Sequence, residues 1–298
     1  MQDNSICFDY HISPENFNLT FRPITRSVES WDKELTKTAL RIANSTNKPL
    51  ILGLSGGIDS EVIARVFLES KIPFTVLTIH HEGNTNNHDI SYARSFCDRY
   101  KIKQNIVNID MIKFLKSGYQ QYAGLLKYKT PIVAVRYMQS LVLDEIEKMG
   151  GCGILGGTEL DFKVCFENKI GLSYKSDMVS IHEYIKNKNQ LHYPWFYLNN
   201  SELVASYIQE DIMVAMFKDY RYYLSFKESV DNDGNAYEKI LIYHRYFPDM
   251  VRRRKFTGFE RLRIAFDDIS AKHNMLPAPL TAYISVEELK QQLGIITN

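Results

Sequence analysis

The sequence predicts a doubly wound α/β domain on a parallel sheet, followed by a smaller C-terminal α+β lobe. Three observations carry that expectation. Apolar runs of strand length at residues 49–54, 73–79, 105–109 and 153–155 alternate with amphipathic stretches of helical length. Such alternation builds parallel sheets with right-handed crossovers. The periodicity changes beyond about residue 175, and 298 residues suffice for one α/β core plus a second lobe.

Residues 1–26 read as an irregular polar segment. A helix is expected from Ser27, its cap, because Trp31, Leu35, Ala39, Ile42 and Ala43 recur at helical spacing. Residues 49–54 are apolar throughout, as a strand buried on both faces requires. Ile58, Val62, Val66 and Phe67 mark the next helix, with Glu61 and Arg65 set for an i,i+4 pair. Residues 73–79 form a second strand, 87–100 a helix and 105–109 a third strand. A longer helix covers roughly residues 132–149, and 153–155 is a fourth strand. The α/β domain thus spans residues 27–175. In the C-terminal lobe, 176–298, residues 203–217 and 259–273 are helical in spacing. Residues 222–226 and 237–243 flank Asp231-Asn232-Asp233-Gly234-Asn235, which predicts a hairpin.

Composition removes several classes. With 45% hydrophobic and 24% charged residues the chain is neither disordered nor a coiled coil. A formal net charge of +1 argues against a partner bound chiefly through nucleic-acid backbone. No apolar run is long enough to span a bilayer, and residues 1–17 lack the apolar stretch of a secretion signal, so a cytoplasmic location is expected. Cys7, Cys97, Cys152 and Cys165 are far apart, without a CxxC pair, and read as buried thiols.

Ser55-Gly56-Gly57-Ile58-Asp59-Ser60 lies between the first buried strand and the helix after it, at the strand's carboxyl end, where open α/β sheets bind ligands. Gly56 and Gly57 remove side chains where backbone must approach a ligand, and either can take positive φ. The helix begins at once, directing unpaired N–H groups and a positive dipole end at the loop. Ser55 and Ser60 add hydroxyls. The loop therefore favours a bound phosphate. It lacks the lysine of G-x-x-x-x-G-K-[ST] and the spacing of G-x-G-x-x-G. Gly53-Leu54-Ser55-Gly56-Gly57 does match the nucleophile elbow G-x-S-x-G, which would make Ser55 an acyl-transfer nucleophile. Against that reading, only one strand is expected before the loop, no HGGG-like run lies upstream, and the elbow leaves Asp59 and Ser60 without a role.

S-G-G-x-D-S after a buried strand resembles the PP-loop of the ATP pyrophosphatases, the superfamily of asparagine, GMP and NAD synthetases, the tRNA lysidine and thiolation enzymes and the 7-cyano-7-deazaguanine synthases. The resemblance covers residues 48–163 and is closest in manner to the synthetase domain of asparagine synthetase. It implies ATP and Mg²⁺, attack of a substrate oxygen on the α-phosphate, and release of diphosphate before a nitrogen or sulfur nucleophile displaces AMP. By the same resemblance Leu54, Ser55, Gly56, Gly57, Ile58 and Ser60 hold diphosphate, Asp59 reaches Mg²⁺, and adenine rests near Leu77, Ile79 and His80. The bland reading of Asp59 and Ser60 is helix capping.

Gly156-Gly157-Thr158-Glu159-Leu160-Asp161-Phe162 resembles the glycine-rich acidic loop of the asparagine synthetases, which implies Glu159 or Asp161 as a metal ligand; alternatively both carboxylates are merely solvated. The run Arg252-Arg253-Arg254-Lys255 is a solvated face or the source of the late-chain lysine that such synthetases bring to the α-phosphate. Lys255 is the candidate, then Arg254, with Lys163 as fallback. His80 and His81, as strand neighbours, point to opposite faces and do not pair on a metal.

The expected partner is a small-molecule acceptor bearing a carboxylate or carbonyl. Without room for a glutaminase domain before the loop, nitrogen would come from ammonia, an amine or a separate glutaminase. The alternatives are a tRNA- or nucleobase-modifying enzyme on the same loop and a nucleotide-binding module without chemistry.

Overall fold

A computed structural model describes residues 6–13, 15–117, 134–156, 160, 162–164, 169–228, 237–251, 264, 267–268 and 280–295. In chain order, β1 (Phe8–Ile12) and β2 (Phe17–Phe21) precede α1 (Trp31–Asn44). There follow β3 (Leu50–Gly53), α2 (Ile58–Glu69), β4 (Thr75–His81), α3 (Asn87–Tyr100), β5 (Gln104–Ile109) and α4 (Met111–Ser117). Next come α5 (Ala134–Lys148), β6 (Cys152–Ile154), β7 (Phe162–Val164), β8 (Ile170–Lys175) and α6 (Val179–Asn187). The chain continues with α7 (Ser201–Ile208), α8 (Asp211–Lys218), α9 (Tyr220–Glu228), α10 (Tyr237–Tyr246), β9 (Thr281–Ser285) and α11 (Val286–Leu293).

The central sheet is parallel, with strand order β5-β4-β3-β6. The chain moves outward from β3 through β4 to β5, then returns to β3's other side as β6. That reversal is the switch point of a doubly wound sheet and opens a crevice at the carboxyl ends of β3 and β6. Beyond β6, Tyr193 N–H donates to Gly153 O (2.7 Å) and Leu155 N–H to Tyr193 O (2.9 Å), so the segment before Tyr197 runs along the sheet edge. A three-stranded antiparallel sheet, β7-β8-β9, supplies the β part of the C-terminal half. One apolar cluster links the regions, with Trp31, Phe67, Trp195 and Phe196 almost wholly buried.

Helix α3 has the bounds its periodicity predicts, and the Glu61–Arg65 pair forms at 2.8 Å. Arg65 Nη1 also reaches Asp249 (2.8 Å), whose other oxygen takes Arg99 of α3 (2.9 Å), tying α2 and α3 to the chain after α10.

Several expectations are corrected. Residues 8–21 form a hairpin, not an irregular segment: Phe17, Leu19 and Phe21 alternate inward at period two against β1, and Ser13 and Asn16 close the turn. The hairpin is a separate sheet, so β3 is still the first strand of the parallel one. Helix α1 starts at Trp31 rather than near Ser27, because the Glu34 carboxylate accepts from Arg26 and the Glu29 N–H and holds the preceding residues in a bend. Residues 203–217 are two helices, α7 and α8, rather than one. The hairpin expected at 222–226 and 237–243 is instead the helices α9 and α10; aromatic residues suggesting strands are held in helices by packing, as Tyr243 shows against Trp31. Most of the helix expected at 259–273 lies outside the described residues. Among the described residues no helix is long and apolar enough to cross a membrane.

Candidate functional site

The Ser55–Ser60 loop crosses the sheet's carboxyl edge at the switch point. Its entry is fixed to β4: Leu54 N–H donates to Leu77 O (3.0 Å), and Thr78 Oγ1 donates to Leu54 O (2.9 Å). Gly56 has φ +90°, and a Cβ there would lie 2.0 Å from the backbone oxygen of Asp89, so only glycine fits between the loop and α3. Gly57, by contrast, has φ −76° and serves as the N-cap of α2. Of the two glycines, one needs positive φ.

Helix α2 has no side-chain cap. Ser60 Oγ donates back to Gly57 O (2.9 Å) and lies 3.2 Å from Ser55 Oγ, while Gly57 N–H donates to Ser55 Oγ (3.2 Å). The capping reading of Asp59 and Ser60 is thus not what their side chains do. The first turn of α2 thus begins without a side-chain cap, beside the exposed Ser55 and Gly57. Ile58 is buried and anchors the helix start.

Asp59 is the hub. Its Oδ1 accepts from Lys239 Nζ (3.0 Å) and the Tyr243 hydroxyl (2.5 Å), both on α10, and its backbone oxygen accepts from the Tyr197 hydroxyl (2.8 Å). Lys239 and Tyr243 are one helical turn apart, so both face α2. The Lys239 side chain is 9% exposed and that of Asp59 25%. Tyr243 stacks on Trp31 with centroids 5.4 Å apart and planes inclined by 4°. Burial holds the phenols of Tyr197, Tyr207 and Tyr243 protonated, well above their ordinary range. A small recess lies beside this cluster, walled by Trp31, Tyr197, Tyr207 and Tyr243 with Leu160, Leu203 and Lys239.

The second loop meets the first. A Cβ on Gly156 would stand 3.6 Å from Ser60 N and 3.3 Å from Ile63 Cδ1, so the turn after β6 packs on the start of α2. Gly157, Glu159, Asp161, Arg254 and Lys255 lie outside the described residues. Lys163 sits on β7 opposite Gly171. At the end of β4, Leu77 and Ile79 are buried, while His80 lies between Asn108 Oδ1 (2.7 Å) and Asn87 Oδ1 (2.9 Å). His81 faces the other way and is buried, which lowers its pKa to about 4, with His80 contributing. Cys7, Cys97 and Cys152 are free and buried, their thiols pushed by burial to about 12, 11 and 12.

The residues present fit a single carboxylate contact to Mg²⁺. Asp59 Oδ2 accepts no hydrogen bond among the described residues, and Mg²⁺ typically takes one or two carboxylates together with phosphates and water. Among the described residues no group of three or more His, Cys, Asp or Glu is arranged for a metal.

Sequence reasoning missed Lys239 and the tyrosines around Asp59. One signal pointed there: Lys239 directly before the apolar run from Ile240 to Tyr243, with Tyr243 one turn away.

A family model described as NAD synthase matches residues 32–130, a span that contains the whole loop. The tRNA-specific 2-thiouridylase MnmA 2 of Fusobacterium nucleatum subsp. nucleatum is 31% identical over 78 residues, 24% of this chain and 23% of that protein. The chain thus spans less than a quarter of the length of the curated relative it matches. Two solved structures resemble it in outline. NMN synthetase from Francisella tularensis has TM-score 0.36 and 15% identity, covering 84% of this chain and 97% of that one. NH3-dependent NAD synthetase from Campylobacter jejuni subsp. jejuni, in complex with the nitrate ion, has TM-score 0.35 and 16% identity, covering 85% and 99%. Likeness at that level is one of outline and bears on nothing finer. The loop between β3 and α2, the strand reversal beside it, the family-model match that spans it and the likeness to the thiouridylase place this chain in the PP-loop ATP pyrophosphatase superfamily. Neither the matching family model nor the thiouridylase is an asparagine synthetase, so the narrower likeness rests on the loop sequences alone.

Proposed function

We propose that this chain is an ATP-dependent ligase forming AMP and diphosphate. An acceptor carboxylate or carbonyl oxygen attacks the α-phosphate, diphosphate leaves, and a nitrogen nucleophile displaces AMP to make an amide or C–N bond in the asparagine-synthetase manner. Nitrogen arrives as ammonia, as an amine or from a separate glutaminase. One observation carries the reading: uncapped α2 amides and exposed Ser55 and Gly57 at the switch point, a site made for a polyanion.

Each residue then has a task. Backbone from Leu54 to Ile58, with Ser55 and Ser60, grips the β- and γ-phosphates. Adenine lies toward Leu77, Ile79 and His80, and Gly156 and Gly157 are the further candidates for nucleotide contact. Asp59, with Glu159 or Asp161, would hold Mg²⁺, whose charge offsets that of the departing diphosphate. Lys239 is the buried cation at this point of the site, and Lys255 and Lys163 remain candidates for the α-phosphate. Residues 27–175 form the nucleotide domain and 176–298 the substrate lobe in this scheme.

Incubation with ATP, Mg²⁺ and a panel of carboxylic acids should release diphosphate and AMP; ADP and orthophosphate would overturn the scheme. The thiouridylase match favours a second reading, modification of tRNA, for which bulk tRNA should bind at low salt; the net charge of +1 weighs against it. Ser55 Oγ is engaged by Gly57 N–H and Ser60, which disfavours the hydrolase reading, and a fluorophosphonate probe should leave Ser55 unlabelled.

A further inference from the structure

The end of β4 offers a nucleotide less side chain than its sequence suggests. Leu77 and Ile79 are buried in one cluster with Ile51 and Ile146, so they can present only backbone to a base. His80 points to the other face of the sheet, toward α3, and is only half-buried. We propose that the His80 imidazole, held at both edges by Asn87 and Asn108, is a stacking platform that takes the base of the bound nucleotide against its ring face. The proposal rests on the phosphate-loop reading and deepens it, naming how the base is held and which residues fix the ring.

The ring's edges are already in use. Nδ1 lies 2.7 Å from Asn108 Oδ1, and Nε2 lies 2.9 Å from Asn87 Oδ1. An imidazole has only these two polar atoms, so neither nitrogen is left for a phosphate or a metal. Either asparagine can turn over to present Nδ2, so both contacts persist whichever nitrogen carries the proton. What the ring can still offer is a flat face. Its two anchors come from different elements: Asn108 is opposite His80 across the β4–β5 ladder, and Asn87 is the first residue of α3. A half-exposed side chain ordinarily keeps rotamer freedom; this one gives it up and becomes a rigid plane.

Position makes that plane useful. Thr78, two residues earlier and on the same face of β4, donates to Leu54 O where the chain enters the loop. His80 therefore lies about 7 Å further along the strand. Asp89, two residues beyond Asn87, is the residue against which Gly56 rests. The platform thus stands at the carboxyl edge of the sheet, beside the helix that backs the loop, where open α/β sheets bind their ligands. Every base has a π-face, so stacking of this kind holds a base without reading its hydrogen-bonding edge.

The test titrates the full chain calorimetrically, with Mg²⁺ present, using ATP and, separately, inorganic tripolyphosphate, which lacks a base. His80→Ala should weaken ATP about tenfold and leave tripolyphosphate within about twofold. His80→Phe, which keeps a flat ring, should restore most of the loss. Asn87→Ala combined with Asn108→Ala frees the ring and should weaken ATP alone by about threefold. Unchanged ATP binding in His80→Ala overturns the platform and leaves the loop standing. Equal weakening of both ligands would mean a role in phosphate binding or in the fold, and overturns it too, as does His80→Phe binding no better than His80→Ala. Parent-like ATP binding in the double asparagine variant removes Asn87 and Asn108 as positioning residues. A parent chain that binds neither ligand defeats the loop reading and the platform together.

Discussion

Two regions of this molecule converge on Asp59 by opposite routes. The segment from β3 to α2 brings its chemistry in twenty consecutive residues, and most of it is backbone: a strand end, a glycine with φ +90°, a helix start without a cap. Helix α10 brings Lys239 and Tyr243 from 180 residues further along, and its contribution is all side chain. The difference teaches where information resides. Recognition of a polyanion is written locally because backbone amides are always present and need only be bared. A particular cation beside a particular carboxylate is written in the packing of distant surfaces, here the stacking of Tyr243 on Trp31.

The local half breaks most severely at Gly56. Gly56→Ala forces an L residue into positive φ, about 1–3 kcal/mol on its own, and drives Cβ into the Asp89 carbonyl. Urea unfolding should show that loss, and calorimetry should find no ATP binding. A variant that binds ATP like the parent would show that the loop is not built as described.

The distant half is sharpened by a double-mutant cycle. Asp59→Asn leaves the Lys239 ammonium buried without its counter-charge, so stability should fall by about 2–3 kcal/mol, below the value for a fully buried pair because Asp59 is a quarter exposed. Adding Lys239→Met should restore most of that loss, while diphosphate release stays abolished in both Asp59 variants. Strictly additive stabilities would mean that the two groups do not interact.

The smallest effect concerns the sheet under both regions. His81 on β4, and His192, whose Nδ1 accepts from Gly153 N–H (2.9 Å), are both lowered by burial from 6.5 to about 4. Each is neutral in the fold, whereas the unfolded chain takes up a proton near pH 6.5. Their contribution is therefore complete above about 6.5 and is lost as pH falls from there toward 4. The melting temperature should drop across that window, and His192→Gln should make the drop shallower; an unchanged slope would remove His192 from the account.

The same division explains what was legible in the sequence. The strands β3, β4 and β6 and the helices α2 and α3 were readable because apolar runs and 3.6-residue stripes are sharply punctuated, and α3 carries the predicted bounds. The phosphate loop was readable because its signal lies in six adjacent residues. The first hairpin is written in the alternation of Phe17, Leu19 and Phe21, a short signal easily lost in a polar segment. Helices α9 and α10 were not readable: Tyr222, Tyr223 and Tyr243 satisfy strand and helix patterns alike, and only tertiary packing decides. Four adjacent cations make Lys255 conspicuous, whereas Lys239, set between Glu238 and an apolar run, gains meaning only from what it touches.

The close seat of Gly56 on Asp89 has a consequence for the surface turn at residues 82–86, between β4 and α3. Turns of that kind ordinarily tolerate added residues. This one sets the height at which α3 begins, and through it the wall against which the loop rests. Lengthening it by even one residue would lift that wall, so a stretch that looks like idle connecting chain is a spacer held to gauge.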